Sequence, residues 1–430
     1  MKKSEKNDSE KFVIYGGNKL SGKLKIKGAK NAILPILSAS ILCGDVVEIN
    51  NVPKLVDIDN MLKILRSLGC KAVQKRSKII VDSSTLNSYI LKKEYTEKLR
   101  ASIFMLGSIL ATQKKAQICH PGGCNIGNRP IDIHLVGLES LGVKITEKDD
   151  YIYCDGSNMK AGQFYLRFPS VGATENLMIS AVLLDGETVI QNCAKEPEIV
   201  DLQNFLNSMG ASVSGAGTSV IKICGVKKLH GTKYNPIGDR IVAGTYLIAT
   251  LMTGGDVELS NINPEHLESL IKIFASNDCK IICKNDTIKV QSFGKIKSIP
   301  KIETNPYPLF PTDLQPQMMV LQAISDGKCE LTENLFETRF KHIPYLKKMR
   351  ADIEVYQNTA VINGVKNLYG TAVEATDLRA GACLVLAGLV AKGKTTVSNI
   401  YHIDRGYDKI EKDLKKLGAN IQRIKWKTKD

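Results

Sequence analysis

Apolar positions recur along this chain in a two-part pattern. The first part is a glycine, a short strand-like run and often a closing asparagine: Gly44 to Asn50, Gly186 to Asn192, Gly255 to Asn261, Gly327 to Asn334 and Gly393 to Asn399. The second spaces apolar residues three or four apart and ends on glycine. It occurs at Leu62, Leu65, Leu68 and Gly69, at Leu135, Leu138, Leu141 and Gly142, at Leu202, Phe205, Met209 and Gly210, and at Leu414, Leu417 and Gly418. That spacing predicts a helix with one face inward, closed by a glycine in the left-handed conformation. Degenerate copies end at Asp278 and Arg350. Ahead of the first part lies a run that is apolar on nearly every side, such as Leu177 to Leu184 or Leu384 to Val390. Such a run predicts a helix buried on most of its surface. Each unit reads helix, strand, loop, helix, strand, with a period of roughly 70 residues, longer than solenoid repeats. Six copies predict an α/β protein of two domains, three units in each, with sheets outside and buried helices inside.

Bulk composition agrees. A chain of 430 residues with 43% hydrophobic content can fill two sizeable cores. No run approaches the ~18–20 apolar residues of a membrane span. The charged, polar stretch from Met1 to Lys11 reads as a short disordered leader rather than a secretory signal. Eleven cysteines are scattered without a CxxC pair, so zinc ribbons and thioredoxin-type redox have no motif. Several, Cys224 and Cys283 among them, stand in for small apolar residues, which suits a reducing cytoplasm.

Charge narrows the partners. The net charge of +15 comes from 59 Lys+Arg against 44 Asp+Glu, and admits either nucleic acid or small anionic substrates. Aromatics are 6% and are not interleaved with the lysines, so stacking platforms for nucleic acid are missing. Only 11 of the basic residues are arginines. Six of them, Arg100, Arg129, Arg240, Arg339, Arg379 and Arg405, sit in or beside loops that also carry candidate chemistry, which favours an anion-binding site. The histidines form no HExxH, and neither GxGxxG nor a Walker loop is present, so no metal and no cofactor is expected.

Four places carry candidate chemistry. Cys124 lies in a glycine-rich loop, Pro121-Gly122-Gly123-Cys124, with Lys114, Lys115 and Arg129 nearby to favour its thiolate; an incidental loop cysteine is the alternative. Lys30 and Asn31 open an apolar helical run, where a lysine either binds an anion with the helix N-terminus or is simply solvated. Asp313, framed by Pro311 ahead of a helix, reads as an N-cap or as a catalytic base. Arg379 and Arg405 each have an aspartate close by. They suit bidentate recognition of phosphate and carboxylate, though structural ion pairs would look the same.

Eight stretches together resemble one family, UDP-N-acetylglucosamine 1-carboxyvinyltransferase, from Lys11 to Lys425. They are Lys27-Gly28-Ala29-Lys30-Asn31-Ala32, Leu99-Arg100-Ala101-Ser102, the Cys124 loop with Arg129-Pro130, Ser170-Val171-Gly172-Ala173-Thr174, Glu196-Pro197-Glu198-Ile199-Val200-Asp201, Phe310-Pro311-Thr312-Asp313, Ala375-Thr376-Asp377-Leu378-Arg379 and His402-Ile403-Asp404-Arg405-Gly406-Tyr407. The resemblance implies the inside-out α/β barrel of enolpyruvyl transferases. One domain would be residues 1–29 and 239–430, the other 30–238, hinged near Lys30 and Asp239. It implies that phosphoenolpyruvate is held by Lys30, Asn31, Arg129, Arg379 and Arg405. Cys124 would be the general acid and the target of fosfomycin, and Asp313 the base toward the sugar hydroxyl. Arg100, Arg129, Pro130, Ile131, Asp132, Ile133, Ser170, Val171, Gly172, Asp313 and Leu335 would line the UDP-sugar site. Implied partners are these two small molecules, with no nucleic acid and no membrane span. Some relatives carry a lysine near the uridine site, where this chain has Arg167-Phe168-Pro169. The shikimate-pathway enolpyruvyl transferase is the nearest rival, and its Gly-Asn-Ala-Gly-Thr motif is absent.

Overall fold

The computed structural model describes residues 10–122, 127, 130–275, 277–294 and 296–425. Packing divides the chain into two compact units, Met1–Ile26 with Asn125–Asn128 and Gly238–Asp430, and Lys27–Cys124 with Arg129–Ile237. Each unit holds three buried helices that touch one another: Arg240–Thr253, Gln315–Ala323 and Leu378–Val390 in the first, Lys30–Ala39, Phe104–Gln113 and Val171–Ala181 in the second. They are the all-apolar runs of the sequence; Leu378 through Leu389 are buried without interruption. Two open on an aspartate whose carboxylate accepts the first free N–H groups, Asp239 from Ile241 and Val242 and Asp377 from Arg379 and Ala380.

Six sheets surround these helices, three per unit. In five of them the strand after the buried helix pairs antiparallel with a hairpin; in the sixth, Lys394–Ser398 pairs with Glu10–Tyr15, whose other neighbour is Asn420–Lys425. In all six the other side of the strand after the buried helix takes a parallel edge segment. Val46–Ile49, for example, lies between Lys78–Asp82 and Lys233–Tyr234. In the sheet of Lys115–Cys119 the edge strand has shrunk to a single parallel bridge between Ile90 and Gln117. The asparagines at the strand ends have a structural role. Asn192, Asn261 and Asn399 adopt left-handed φ values of 56°, 61° and 56°, which asparagine tolerates better than most residues. The amides of Asn192 and Asn261 donate at 2.7 Å to Leu166 O and Ile26 O, just past the parallel edge strands. In the first copy the left-handed residue is Asn51, one beyond the expected Asn50.

Two expectations are corrected. Glu10 and Lys11 belong to the strand Glu10–Tyr15, held because Asn420–Lys425 pairs with it and Arg423 Nε bonds Glu10 at 2.8 Å. Cys224 and Cys283 are exposed rather than core-filling. Cys224 occupies the outward phase of an alternating strand and Cys283 lies in the mostly exposed edge strand Cys279–Lys284. Among the described residues no helix is long and apolar enough to cross a membrane.

Candidate functional site

In the first unit, three separate loops bring one carboxylate and two guanidinium groups together. Asp313 sits in the turn Thr312–Leu314 before a buried helix whose N-cap position is Leu314, and both its oxygens are engaged by side chains. They face arginines: Arg339 Nη2 is 2.8 Å from Oδ1 and Arg379 Nη2 is 2.6 Å from Oδ2. Arg339 also donates to Thr312 O at 3.2 Å. Both guanidinium groups are almost wholly buried, while the Asp313 side chain keeps about a quarter of its surface open. Buried cations of this kind are stable only when paired and hydrogen-bonded. Burial opposes the charge of Arg379, but Asp313, Tyr407 and Asp239 outweigh it and hold the group protonated.

The neighbours in sequence are not the partners in space. Asp377, two residues from Arg379, caps the helix and accepts Arg379 N at 2.9 Å. The Asp404 carboxylate is bound by Arg423. Arg405 is buried in the turn Ile400–Arg405, which packs on the helix whose first turn carries Arg379. Leu335 is placed by Glu333. The Glu333 carboxylate accepts Leu335 N and Phe336 N together with the hydroxyls of Thr304 and Thr312, tying the Leu335 loop to the Asp313 turn.

In the second unit, Lys30 begins its helix with Nζ 3.3 Å from Asp57 Oδ2, both largely buried, and Asn31 beside it is exposed. Lys30 is therefore not a freely solvated lysine. Arg100 donates to Pro121 O at 3.4 Å and to Pro130 O at 3.2 Å, so one guanidinium spans both ends of the glycine-rich loop. Cys124 and Arg129 lie outside the described residues. Past the loop, Pro130 is exposed, Ile131 buried and Ile133 half-buried. Asp132 pairs with Arg167, so the arginine at the departure from the family pattern contacts a residue expected at the sugar-nucleotide site. Ser170 caps the helix that begins at Val171 and Gly172, accepting Ala173 N at 3.3 Å. A Cβ on Gly172 would come 3.1 Å from the His134 ring, so only glycine fits there unless the ring moves.

Glu175, on the same helix, had no sequence signal beyond being a charge inside an apolar run. It is fully buried, and burial, followed by repulsion from Glu198 and Glu196, pushes its carboxyl well above the usual glutamate range. Among the described residues no cluster of histidine, cysteine and carboxylate side chains could hold a metal ion. What the arrangement offers is paired cations suited to carboxylate and phosphate, and a carboxylate positioned by them.

The chain as a whole is similar to known proteins. A sequence model of the EPSP synthase (3-phosphoshikimate 1-carboxyvinyltransferase) family matches residues 14–414. The chain is 50% identical to UDP-N-acetylglucosamine 1-carboxyvinyltransferase 2 of Caldanaerobacter subterraneus, over 96% of this chain and 99% of that one. It is 47% identical to UDP-N-acetylglucosamine 1-carboxyvinyltransferase of Finegoldia magna, over 94% and 96%. Among solved structures, the enolpyruvyl transferase NikO from Streptomyces tendae superposes with a TM-score of 0.88 at 22% identity, covering 98% of this chain and 100% of that one. EPSP synthase from Acinetobacter baumannii gives 0.73 at 19%, covering 97% and 100%. The fold is thus the inside-out α/β barrel of enolpyruvyl transferases.

Proposed function

The chain belongs to the UDP-N-acetylglucosamine 1-carboxyvinyltransferase family, and from that premise we infer that it transfers the enolpyruvyl group of phosphoenolpyruvate to the 3′-hydroxyl of UDP-N-acetylglucosamine. Phosphate is released, and the reaction is the first committed step of peptidoglycan synthesis. The observation that carries the reading is 50% identity along nearly the whole of a relative with that name.

The roles of the residues follow from the chemistry required. Lys30, Asn31, Arg129, Arg379 and Arg405 bind the phosphate and carboxylate of phosphoenolpyruvate. Asp313 takes the proton of the sugar hydroxyl as its oxygen attacks C2, and Cys124 delivers a proton to the methylene carbon. Protonation of the alkene builds positive charge at C2, which the substrate's own carboxylate and phosphate stabilise while fixed dipoles hold the geometry. The product of addition is a tetrahedral ketal. Loss of a proton from its new methyl group and of phosphate from C2 leaves the enolpyruvyl ether. Arg100, Arg129 to Ile133, Ser170 to Gly172, Asp313 and Leu335 bind the UDP-sugar. Support for these roles comes from the Asp313 carboxylate, held between Arg339 and Arg379 and still open on one side. The use of most cysteines as buried free thiols supports a cytoplasmic setting.

Phosphate release from phosphoenolpyruvate tests the reading. It is expected to require UDP-N-acetylglucosamine. Comparable turnover with shikimate 3-phosphate would move the chain to the rival branch of the same fold.

A further inference from the structure

We propose that the Tyr407 hydroxyl is a positioning group for the reaction. It fixes the Arg379 guanidinium on a hydrogen-bonded hub shared by the three buried helices of the first unit. The proposal rests on the role given above to Arg379.

Each buried helix of that unit sends one polar side chain to the hub: Thr245 from Arg240–Thr253, Gln317 from Gln315–Ala323 and Arg379 from Leu378–Val390. Tyr407 follows the turn Ile400–Arg405 and is 1% exposed. Its hydroxyl is 2.8 Å from Thr245 Oγ1, 3.3 Å from Gln317 Nε2 and 3.4 Å from Arg379 Nη1.

The donor directions are settled by counting protons. Thr245 Oγ1 has one proton, and it goes to Ile241 O at 2.8 Å. In the contact with Tyr407, then, the tyrosine is the donor. Gln317 Nε2 donates to Thr245 Oγ1 as well, at 3.1 Å. The tyrosine oxygen is left to accept from Gln317 and from Arg379. A single line of donation runs from the Arg379 guanidinium through Tyr407 and Thr245 to the backbone of a buried helix. Each bond in such a line polarises the next.

The effect on Arg379 is geometric. Its bond to Asp313 through Nη2 fixes one corner of a planar group and leaves rotation about that contact. The bond from Nη1 to Tyr407 fixes a second corner and so defines the plane. The Tyr407 ring, its centroid 5.8 Å from the guanidinium carbon, contributes a weaker cation–π attraction that a phenylalanine would keep.

Tyr407→Phe removes only the hydroxyl. The expected result is a KM for phosphoenolpyruvate raised about 10- to 100-fold, the scale of one hydrogen bond to a charged group. The KM for UDP-N-acetylglucosamine should stay within roughly twofold, a split that general loss of packing would not produce. A double-mutant cycle separates positioning from packing. In an Arg379→Gln background, Tyr407→Phe should add nothing, whereas an additive loss would overturn the proposal. If Arg379→Gln alone leaves the phosphoenolpyruvate KM unchanged, the role of Arg379 itself is wrong. If Arg379→Gln raises it and Tyr407→Phe is silent, the hub alone is refuted. Should Tyr407→Phe fail to fold, Thr245→Val removes the acceptor of the same hydroxyl and should reproduce the KM effect, with Thr245→Ser restoring it. Indistinguishable serine and valine variants would overturn the proposal.

Discussion

The two units are folded from one repeat and differ in what lies where their buried helices meet. In the first unit the meeting point is a polar hub that ends in a paired cation: Thr245, Gln317 and Tyr407 behind Arg379, with Asp313 and Arg339 beyond. In the second it is made of small neutral contacts. The hydroxyls of Ser38 and Ser108 lie 2.9 Å apart. Gly107 N donates to Asn176 Oδ1 at 2.9 Å, and a Cβ on that glycine would sit 2.6 Å from the same oxygen. The buried ionisable group near the second meeting point is acidic, and burial, with repulsion from Glu198 and Glu196, pushes the Glu175 carboxyl well above its usual range. A repeat therefore fixes where backbone goes, and a handful of side chains decide the sign of what is buried there. One unit buries paired cations; the other buries a carboxyl whose proton is held more tightly than usual.

The largest effect that would break this contrast is on turnover. Asp313→Asn is expected to lower kcat by ~10²–10⁴ while the protein remains folded by circular dichroism. A variant that unfolds yet keeps full specific activity in its folded fraction would return Asp313 to a structural role. The second test concerns the thiols. Burial pushes Cys70 up to about 11 and Cys154, Cys193 and Cys329 up to about 12, and raises Cys43, Cys279, Cys283 and Cys383 too. Fosfomycin is therefore expected to leave a single adduct, mapped by mass spectrometry between Lys115 and Arg129. Cys124→Asp should abolish it and retain measurable turnover. An adduct on any cysteine other than Cys124 would refute the assignment.

Smaller effects sharpen the contrast through stability. A carboxyl whose folded value exceeds its unfolded value binds its proton more tightly in the fold. Its contribution is full at low pH and is lost as pH rises through the folded value. For Glu175 that loss begins above the ordinary glutamate value. Glu175→Gln should therefore melt close to wild type near pH 5 and above it near pH 8. If the variant instead melts lower near pH 8, Glu175 is ionised and paired. The least effect is expected at the helix stops. The second unit closes its outer helices on glycine, as at Gly210 with φ 95°, whereas the first unit does so at Gly418 but uses Arg350 at φ 70° in another copy. A side chain there costs roughly 1–2 kcal/mol, offset in part by the Arg350 contact 4.5 Å from the Tyr369 ring centroid. Arg350→Gly should gain about 1 kcal/mol or less in denaturant melts, and Gly210→Ala should lose about as much.

The repeat was legible because apolar spacing is a local signal. The all-apolar runs became the buried helices, and the leucine runs became the outer ones, Val56–Ser67 and Pro197–Ser208 among them. Even the worn copy at Arg350 marked a true helix end. Pairing was not legible, because it is long-range. Arg379 has an aspartate two residues away, yet its carboxylate partner is Asp313, 66 residues distant. Asp404 likewise turns to Arg423 rather than only to its own turn. The lone bridge at Ile90 could not have been read either, since one pair of residues leaves no periodicity.

The strand Glu10–Tyr15 lies in the middle of its sheet, between Lys394–Ser398 and Asn420–Lys425, and Ser21–Lys25 lies beside Asp256–Ser260. Translation makes these strands before any of their neighbours. The second unit has all its sheets once Tyr234 has emerged, so its core can close while the chain is still growing. Glu10–Tyr15 must then wait on the order of ten to forty seconds for Asn420–Lys425, at ordinary rates of synthesis. During that interval an apolar strand has no edge to join, which makes it a point of contact for chaperones. Completion of the first unit, with its arginine pair, is thereby deferred until Asn420–Lys425 has been made.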